Sequence, residues 1–244
     1  MNLVEVLHDI SSVIFPPQCL GCAEILIPGD NRIFCSSCQT KVNFINGAIC
    51  SVCGISFPDS PSPGHLCGDC LEKKPLFSLA RAVFSCESII LEAIHRFKYH
   101  RDLAVGETLA SLMADFSFPN VNFADYTMIM PVPLHIKRLR ERGFNQSLIL
   151  TRALGKKHKI LIDFSLLKRR RFTESQTGMN KDERRRNISG AFEVTAPEKI
   201  AGQNIILVDD VFTTGATANE CAKTLLKAKA EKVAVLTLAR VLKN

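Results

Sequence analysis

Two adjacent carboxylates, Asp209 and Asp210, close an apolar run in the string NIILVDDVFTTGAT, residues 204–217. Carboxylates accept hydrogen bonds from the hydroxyls of a sugar, or from the water around magnesium. The hydroxyl-rich turn that follows opens a helix. Its first N–H groups have no partner within the helix and sit at the positive end of its dipole, an arrangement that favours phosphate. Thr213, Thr214 and Thr217 add hydroxyl donors, and Gly215 lets the backbone approach a ligand closely. The acidic pair repels phosphate and must serve another part of the ligand, so pair and turn together complement a sugar phosphate. An ordinary strand–turn–helix with threonine caps is the plainer reading of the same residues.

A second chemistry lies near the N-terminus. Eight of the ten cysteines fall in four CxxC pairs, Cys19/Cys22, Cys35/Cys38, Cys50/Cys53 and Cys67/Cys70. A CxxC turn brings two thiolates to one tetrahedral metal centre, and two such turns complete a four-cysteine zinc site. Twelve residues separate the first two pairs and thirteen the last two, which predicts two knuckle–hairpin–knuckle units paired in sequence order. Redox dithiols and structural disulfides are the competing readings. Cys86 and Cys221 stand alone and read as small buried apolar residues.

Two basic segments complete the set. In MPVPLHIKRLRERGFNQS, residues 130–147, Lys137, Arg138, Arg140 and Arg142 offer cations to an anionic ligand, with Pro133 and His135 beside them. Spacing does not choose which of these faces a ligand, and His135 reads equally well as a surface residue. The run KRRRFTESQTGMNKDERRRNISGAF, residues 168–192, holds eight basic and three acidic residues with few apolar positions. This composition predicts a loop that stays mobile until an anion arrives.

The charge is unevenly spread. Residues 1–75 hold four basic and seven acidic side chains, and the remainder holds 27 basic and 17 acidic. The positive field therefore belongs to the second part, whose partner should be an anion: a phosphorylated small molecule or nucleic acid. Aromatic residues are 7% with no Trp, which is lean for a binder that stacks bases. Residues 2–14 predict an amphipathic helix with acidic residues and no basic ones, not a signal peptide. No apolar run approaches the roughly 20 residues of a membrane span, so the expectation is a cytoplasmic protein without membrane insertion.

The elements that must position these residues can be read from periodicity. Strands are expected over 80–85, 127–133, 160–167, 204–208 and 232–239, and helices over 88–99, 103–116, 144–158 and 217–229. Alternating strands and helices imply an α/β domain with a mostly parallel sheet, whose ligands bind at the C-terminal ends of strands. Residues 72–77 form the expected linker, dividing the chain into 1–75 and 76–244.

The string at 208–217 resembles the phosphoribosyl-pyrophosphate motif of type I phosphoribosyltransferases. That resemblance implies that Asp209 and Asp210 contact ribose hydroxyls, and that Val211, Thr213, Thr214, Gly215, Ala216 and Thr217 hold the 5-phosphate. It also implies a pyrophosphate-contacting loop after the strand at 127–133 and a flexible loop closing over the substrate. With the paired zinc ribbons, FKYHRD at 97–102, PVPLH and RGFNQ, the chain is similar to the ComF family over nearly its whole length. Arg171, Thr173, Gln176, Arg184 and Asn187 are then the signature residues of the flexible loop, with Arg171 and Gln176 as catalytic candidates beside the acidic pair. Pro133, His135, Arg138, Arg142 and Arg184 become pyrophosphate candidates. The implied ligands are 5-phosphoribosyl 1-pyrophosphate with magnesium, and two zinc ions. The implied setting is natural transformation, with single-stranded DNA and proteins of the competence machinery as possible partners. A glutamine-dependent amidotransferase is not expected, because zinc ribbons stand where a glutaminase domain would.

Overall fold

The computed structural model describes residues 18–26, 33–57, 64–173 and 181–242. The helix expected over 2–14 and the candidate Gln176 lie outside them. Five strands form one parallel sheet in the order β1-β7-β6-β2-β3: β1 Leu79–Ser85, β7 Lys232–Arg240, β6 Asn204–Phe212, β2 Met128–Pro131 and β3 Leu161–Ile162. Two short strands, β4 Leu167–Arg169 and β5 Phe192–Val194, pair antiparallel outside it.

A parallel sheet covered on both faces needs apolar side chains at successive positions. β6 supplies Ile206 and Val208 to one face and Ile205 and Leu207 to the other, all fully buried. The first face is covered by α3 Ser88–Tyr99, α4 Leu103–Asp115 and α6 Gln146–His158. The second is covered by α8 Ala216–Lys227, with α7 Lys181–Ile188 and the small hairpin. Within α3, Ile89, Ile90, Ala93, Ile94 and Phe97 recur at three- and four-residue spacing and are buried.

The joint between α3 and α4 is tight enough to decide the sign of a substitution. A Cβ on Gly106 would lie 2.2 Å from the Phe97 ring. Helix propensity alone favours alanine over glycine by about 1 kcal/mol. Overpacking costs about 1–3 kcal/mol in a filled core. Gly106→Ala is therefore expected to lower stability in a denaturant titration, although an open helical site would gain.

The two cysteine modules sit along the β1 edge of the sheet. Residues 43–45 pair with β1 through Ile45 N–H to Val83 O (2.9 Å) and Ser85 N–H to Asn43 O (2.8 Å). From the second module, Val52 O accepts from Ala80 N–H at 2.7 Å, and the buried Arg81 guanidinium donates to Ser51 O at 2.9 Å. An open edge strand invites pairing with other chains, and these contacts cover it. Short helices α1 Ser36–Gln39 and α2 Gly68–Glu72 carry the last cysteine of each module, Cys38 and Cys70, with Cys35 and Cys67 at their N-caps.

Four sequence expectations change. The strand expected over 160–167 is two strands: Asp163 accepts from the N–H groups of Ser165 and Leu166, and this turn breaks the run between β3 and β4. The strand ending at 208 runs on to Phe212, because β7 continues to pair with it, Asp209 opposite Thr237 and Val211 opposite Ala239. The basic loop at 130–147 contains a helix, α5 Ile136–Arg142, capped at its start by His135 and at its end by Gly143 with φ of 84°. The basic run at 168–192 holds β4 and α7 rather than a continuous loop.

Candidate functional site

Asp209 and Asp210 lie within the C-terminal part of β6, just before the turn 213–215 and α8. Asp209 Oδ1 accepts from the Ser147 hydroxyl at 3.0 Å and from Asp210 N–H at 2.9 Å. Asp210 Oδ2 accepts from Gln146 Nε2 at 2.9 Å and pairs with Lys98 Nζ at 2.7 Å. Ser147 and Gln146 stand in the first turn of α6, so the acidic pair also faces the positive end of that helix.

The local sequence explains why α6 starts there. Gly143 ends α5 in the left-handed region, where other residues are strained. Phe144 stacks on Phe97 with ring centroids 5.4 Å apart. Asn145 then caps α6, accepting from Ser147 N–H while donating to Val132 O at the end of β2. The string GFNQS therefore places two hydrogen-bond donors against two aspartates on another element.

The aspartates differ in protonation. Burial, and then the neighbouring Asp210 charge, raise Asp209 to about 7. Burial works in the same direction on Asp210, but the Lys98 ammonium outweighs it and holds that carboxyl below its ordinary value. Asp209 is thus the weaker acid of the pair, and Asp210 is the one held ionised by Lys98.

The turn beyond is built on Gly215, with φ of 74°, where a Cβ would lie 2.5 Å from the Phe212 ring. Thr213 and Thr214 are half-buried and Ala216 is buried. Thr214 Oγ1 is buried without a hydrogen-bond partner among the described residues. A cavity of about 20 Å³ adjoins Asp209, Val211, Thr213, Gly215, Ala216 and Thr217. It has room for about one water, so anything larger must rest on the open rim.

The remaining candidates are spread around this centre. Arg142 lies over the Tyr99 ring at 5.3 Å and is close enough to contribute to holding Asp210 ionised. Pro133 is half-buried just after β2. His135 uses Nδ1 to accept from Lys137 N–H at 3.3 Å, and its ring meets Phe172 edge-on at 5.3 Å. Arg138 lies 5.8 Å from the Phe172 centroid and 3.9 Å from Glu141. Arg171 donates to the carbonyls of Asn187 and Ser189, 2.8 and 2.7 Å away, at the end of α7. Arg184 is half-buried on α7, and the buried Thr173 accepts from Arg169. The geometry adds Lys98, Gln146 and Ser147 to the candidates. The strings FKYH and RGFNQ contained the first two, but nothing in spacing tied them to the aspartates.

The eight cysteines gather in sequence order, Cys19, Cys22, Cys35 and Cys38 in one cluster and Cys50, Cys53, Cys67 and Cys70 in the other. Within each, the Sγ atoms lie within 4.8 Å of one another. Tetrahedral thiolates about 2.3 Å from zinc would be about 3.8 Å apart. Cys22 and Cys35 are at 3.7 Å and Cys53 and Cys67 at 3.5 Å. Each cluster stabilises one thiolate through backbone N–H groups: Cys35 N–H donates to Cys19 Sγ and Cys67 N–H to Cys50 Sγ. Despite burial, Cys19 falls to about 6 and Cys50 to about 7. Burial and the neighbouring thiols push Cys38 up to about 12. Packed sulfurs that cannot all ionise alone are what a dication at the centre would relieve.

Among the described residues no helix is long and apolar enough to cross a membrane. Residues 10–71 match the double zinc ribbon domain and residues 149–243 the phosphoribosyl transferase domain. Competence protein ComFC of Bacillus subtilis is 34% identical over 89% of this chain and 88% of its own length. Competence protein F of Haemophilus influenzae is 30% identical over 84% and 96%, and DNA utilization protein YhgH of Escherichia coli K12 is 31% identical over 93% and 98%. Among solved structures, glutamine phosphoribosylpyrophosphate amidotransferase from B. subtilis overlaps 54% of this chain and 25% of that chain, at 16% identity and a TM-score of 0.37. Identity across most of both chains, the two domain matches, the parallel sheet and the paired four-cysteine clusters agree: the chain belongs to the ComF family, a double zinc ribbon joined to a phosphoribosyltransferase domain.

Proposed function

We propose that this protein binds 5-phosphoribosyl 1-pyrophosphate with magnesium at the C-terminal ends of β6 and β2, and that it serves DNA uptake. The ribbon module is taken as 1–75 and the ligand-binding domain as 76–244. One observation carries the reading: an acidic pair held by Lys98, Gln146 and Ser147 adjoins a glycine-based turn at a helix N-terminus. Asp209 and Asp210 would accept the ribose hydroxyls or hold magnesium-bound water. Val211 and the residues Thr213 to Thr217 would hold the 5-phosphate on backbone N–H groups and hydroxyls.

Pyrophosphate departing from C1 builds negative charge on the leaving group and positive charge on the sugar. Pro133, His135, Arg138, Arg142 and Arg184 would receive the leaving group, while Arg171 and Gln176 belong to the segment that closes over the sugar. Zinc would be held by the two cysteine clusters and supplies structural cross-links rather than chemistry. Isothermal titration of the purified chain with the pyrophosphorylated sugar, with and without magnesium, tests the proposal. Saturable binding at one site per chain is expected.

The raised pKa of Asp209 gives this binding a pH signature. Its pKa is raised to about 7, so the protonated form predominates below that value and cannot serve as a full acceptor. Affinity should rise as pH increases through the pKa, by up to about tenfold per pH unit below it, and level off above. The folded state, in contrast, holds this proton more tightly than the unfolded chain, so Asp209's contribution to stability declines over the same rise. Titrations from roughly pH 6 to roughly pH 8 separate the two trends.

A second reading, direct binding of single-stranded DNA, has one specific observation behind it. Phe172 is 38% exposed, with Lys137 Nζ 5.1 Å and Arg138 5.8 Å from its ring. An exposed ring among cations can stack a base while the cations meet the backbone. A gel-shift that weakens steeply with salt, and weakens again in Phe172→Ala, would support it.

A further inference from the structure

A cavity of about 400 Å³ lies between the second cysteine module and α8, with the turn 213–216 in its wall. Pockets that hold a small organic ligand run from roughly 300 to 1,000 Å³. One wall is apolar: Leu76, Val241 and the edge-to-face pair Phe77 and Phe212, with ring centroids 5.9 Å apart. The rim is cationic, with Lys73, Lys74, Arg185 and Lys223. Two carboxylates also line it. Glu220 already accepts from Gly190 N–H at 2.8 Å and lies 3.8 Å from Lys223, and Asp69 is on the module side.

At the base of this cavity is an arginine only 6% exposed. Arg240 reaches it from the end of β7, with its guanidinium 4.5 Å from the centre of the Phe212 ring. Its terminal nitrogens donate to Cys53 O and, at 3.5 Å, to Cys53 Sγ. Nε has no hydrogen-bond partner among the described residues and is enclosed by protein. The guanidinium is thus anchored on the cysteine module through its terminal nitrogens and lies against the Phe212 ring that forms part of the cavity wall.

We propose that this cavity is a second ligand site, which takes a small aromatic acid: the ring against Phe77, Phe212 and Leu76, the acidic group toward Arg240 and the lysine rim. Four rim cations outnumber the two carboxylates, which favours an anionic ligand, and a bare phosphate would leave the aromatic wall wet. The site does not depend on the sugar-phosphate reading, although the two would share the turn 213–216 as a wall.

The probe is anilinonaphthalene sulfonate, an aromatic acid that fluoresces when its ring leaves water, titrated into the full zinc-loaded chain. Saturable binding at one site is expected, weakened about tenfold or more by Lys73→Glu with Lys223→Glu, since each reversal replaces an attraction by a repulsion. Leu76→Glu, which puts a carboxylate into the exposed wall, should weaken it similarly. Asp209→Asn should leave it unchanged. Thermal unfolding of each variant shows that the fold survives. Absence of saturable binding, or binding indifferent to both the lysine pair and Leu76, overturns the proposal. So does binding lost only in Asp209→Asn, because the dye would then occupy the acidic-pair site.

Discussion

Asp209→Ala together with Asp210→Ala is expected to reduce affinity for 5-phosphoribosyl 1-pyrophosphate by about 100-fold or more. Hydrogen bonds to charged groups contribute about 1.5–3 kcal/mol each, so losing two costs at least two decades. The change also frees Lys98, whose Nζ is 2.7 Å from Asp210 Oδ2. That ammonium would then face the ligand's phosphates, so some non-specific anion binding should persist in the double variant and disappear with salt. Lys98→Met in the native background separates the two contributions. It should leave Asp210 buried without its counter-charge, raise that carboxyl's pKa, and move the onset of binding to higher pH. Calorimetry at two salt concentrations checks both expectations. Unchanged affinity in the double alanine variant would remove the basis for the site.

The second large effect concerns the metal clusters. Cys70→Ser removes a buried sulfur from the second cluster, which should lower the zinc content of the purified chain from two ions to one. Structural zinc binding is worth about 10–16 kcal/mol in small modules, so a three-ligand remnant cannot sustain the local fold. This damage would spread. Gly54 packs against the Ala80 carbonyl, with a hypothetical Cβ only 2.4 Å from it, Arg81 donates to Ser51 O, and Arg240 donates to Cys53 O. Loss of the module strands two buried arginines, Arg81 on the edge strand β1 and Arg240 at the end of β7. A fall of about 10 °C in the thermal midpoint is expected, taking 2–4 °C per kcal/mol for a chain this size. Cys86→Ser, outside both clusters, should keep both ions and shift the midpoint by no more than a few degrees. Atomic-absorption zinc analysis alongside the melting curve decides the matter.

How much of this could be read in the chain depends on whether the cause is local. The helix over 88–99 has the bounds that its apolar spacing predicts, and the CxxC pairs cluster in the order their spacing implies. Both signals sit within a few residues of the structure they produce. The length of β6 was less legible, because Asp209 and Asp210 look like loop residues until β7 is seen to pair beyond them. α5 is short, with five of its seven residues charged, and its boundaries come from the His135 cap and Gly143 rather than from an apolar stripe. The donors on the acidic pair were the least accessible. Lys98 and Ser147 lie about 110 and 60 residues away in the chain, and only the crossing of α3 and α6 over the sheet brings them there. Arg171 illustrates the reverse case: it carries the charge of a ligand clamp, yet two carbonyls at the end of α7 engage it.

Co-crystallisation of the zinc-loaded chain with magnesium and 5-phosphoribosyl 1-pyrophosphate tests the central claim most directly. Density for the 5-phosphate should lie against the backbone of 213–217, with the ribose hydroxyls or a hydrated magnesium on Asp209 and Asp210 and Lys98 displaced from its present pairing. An empty turn, with the sugar phosphate bound elsewhere on the molecule, would contradict the account.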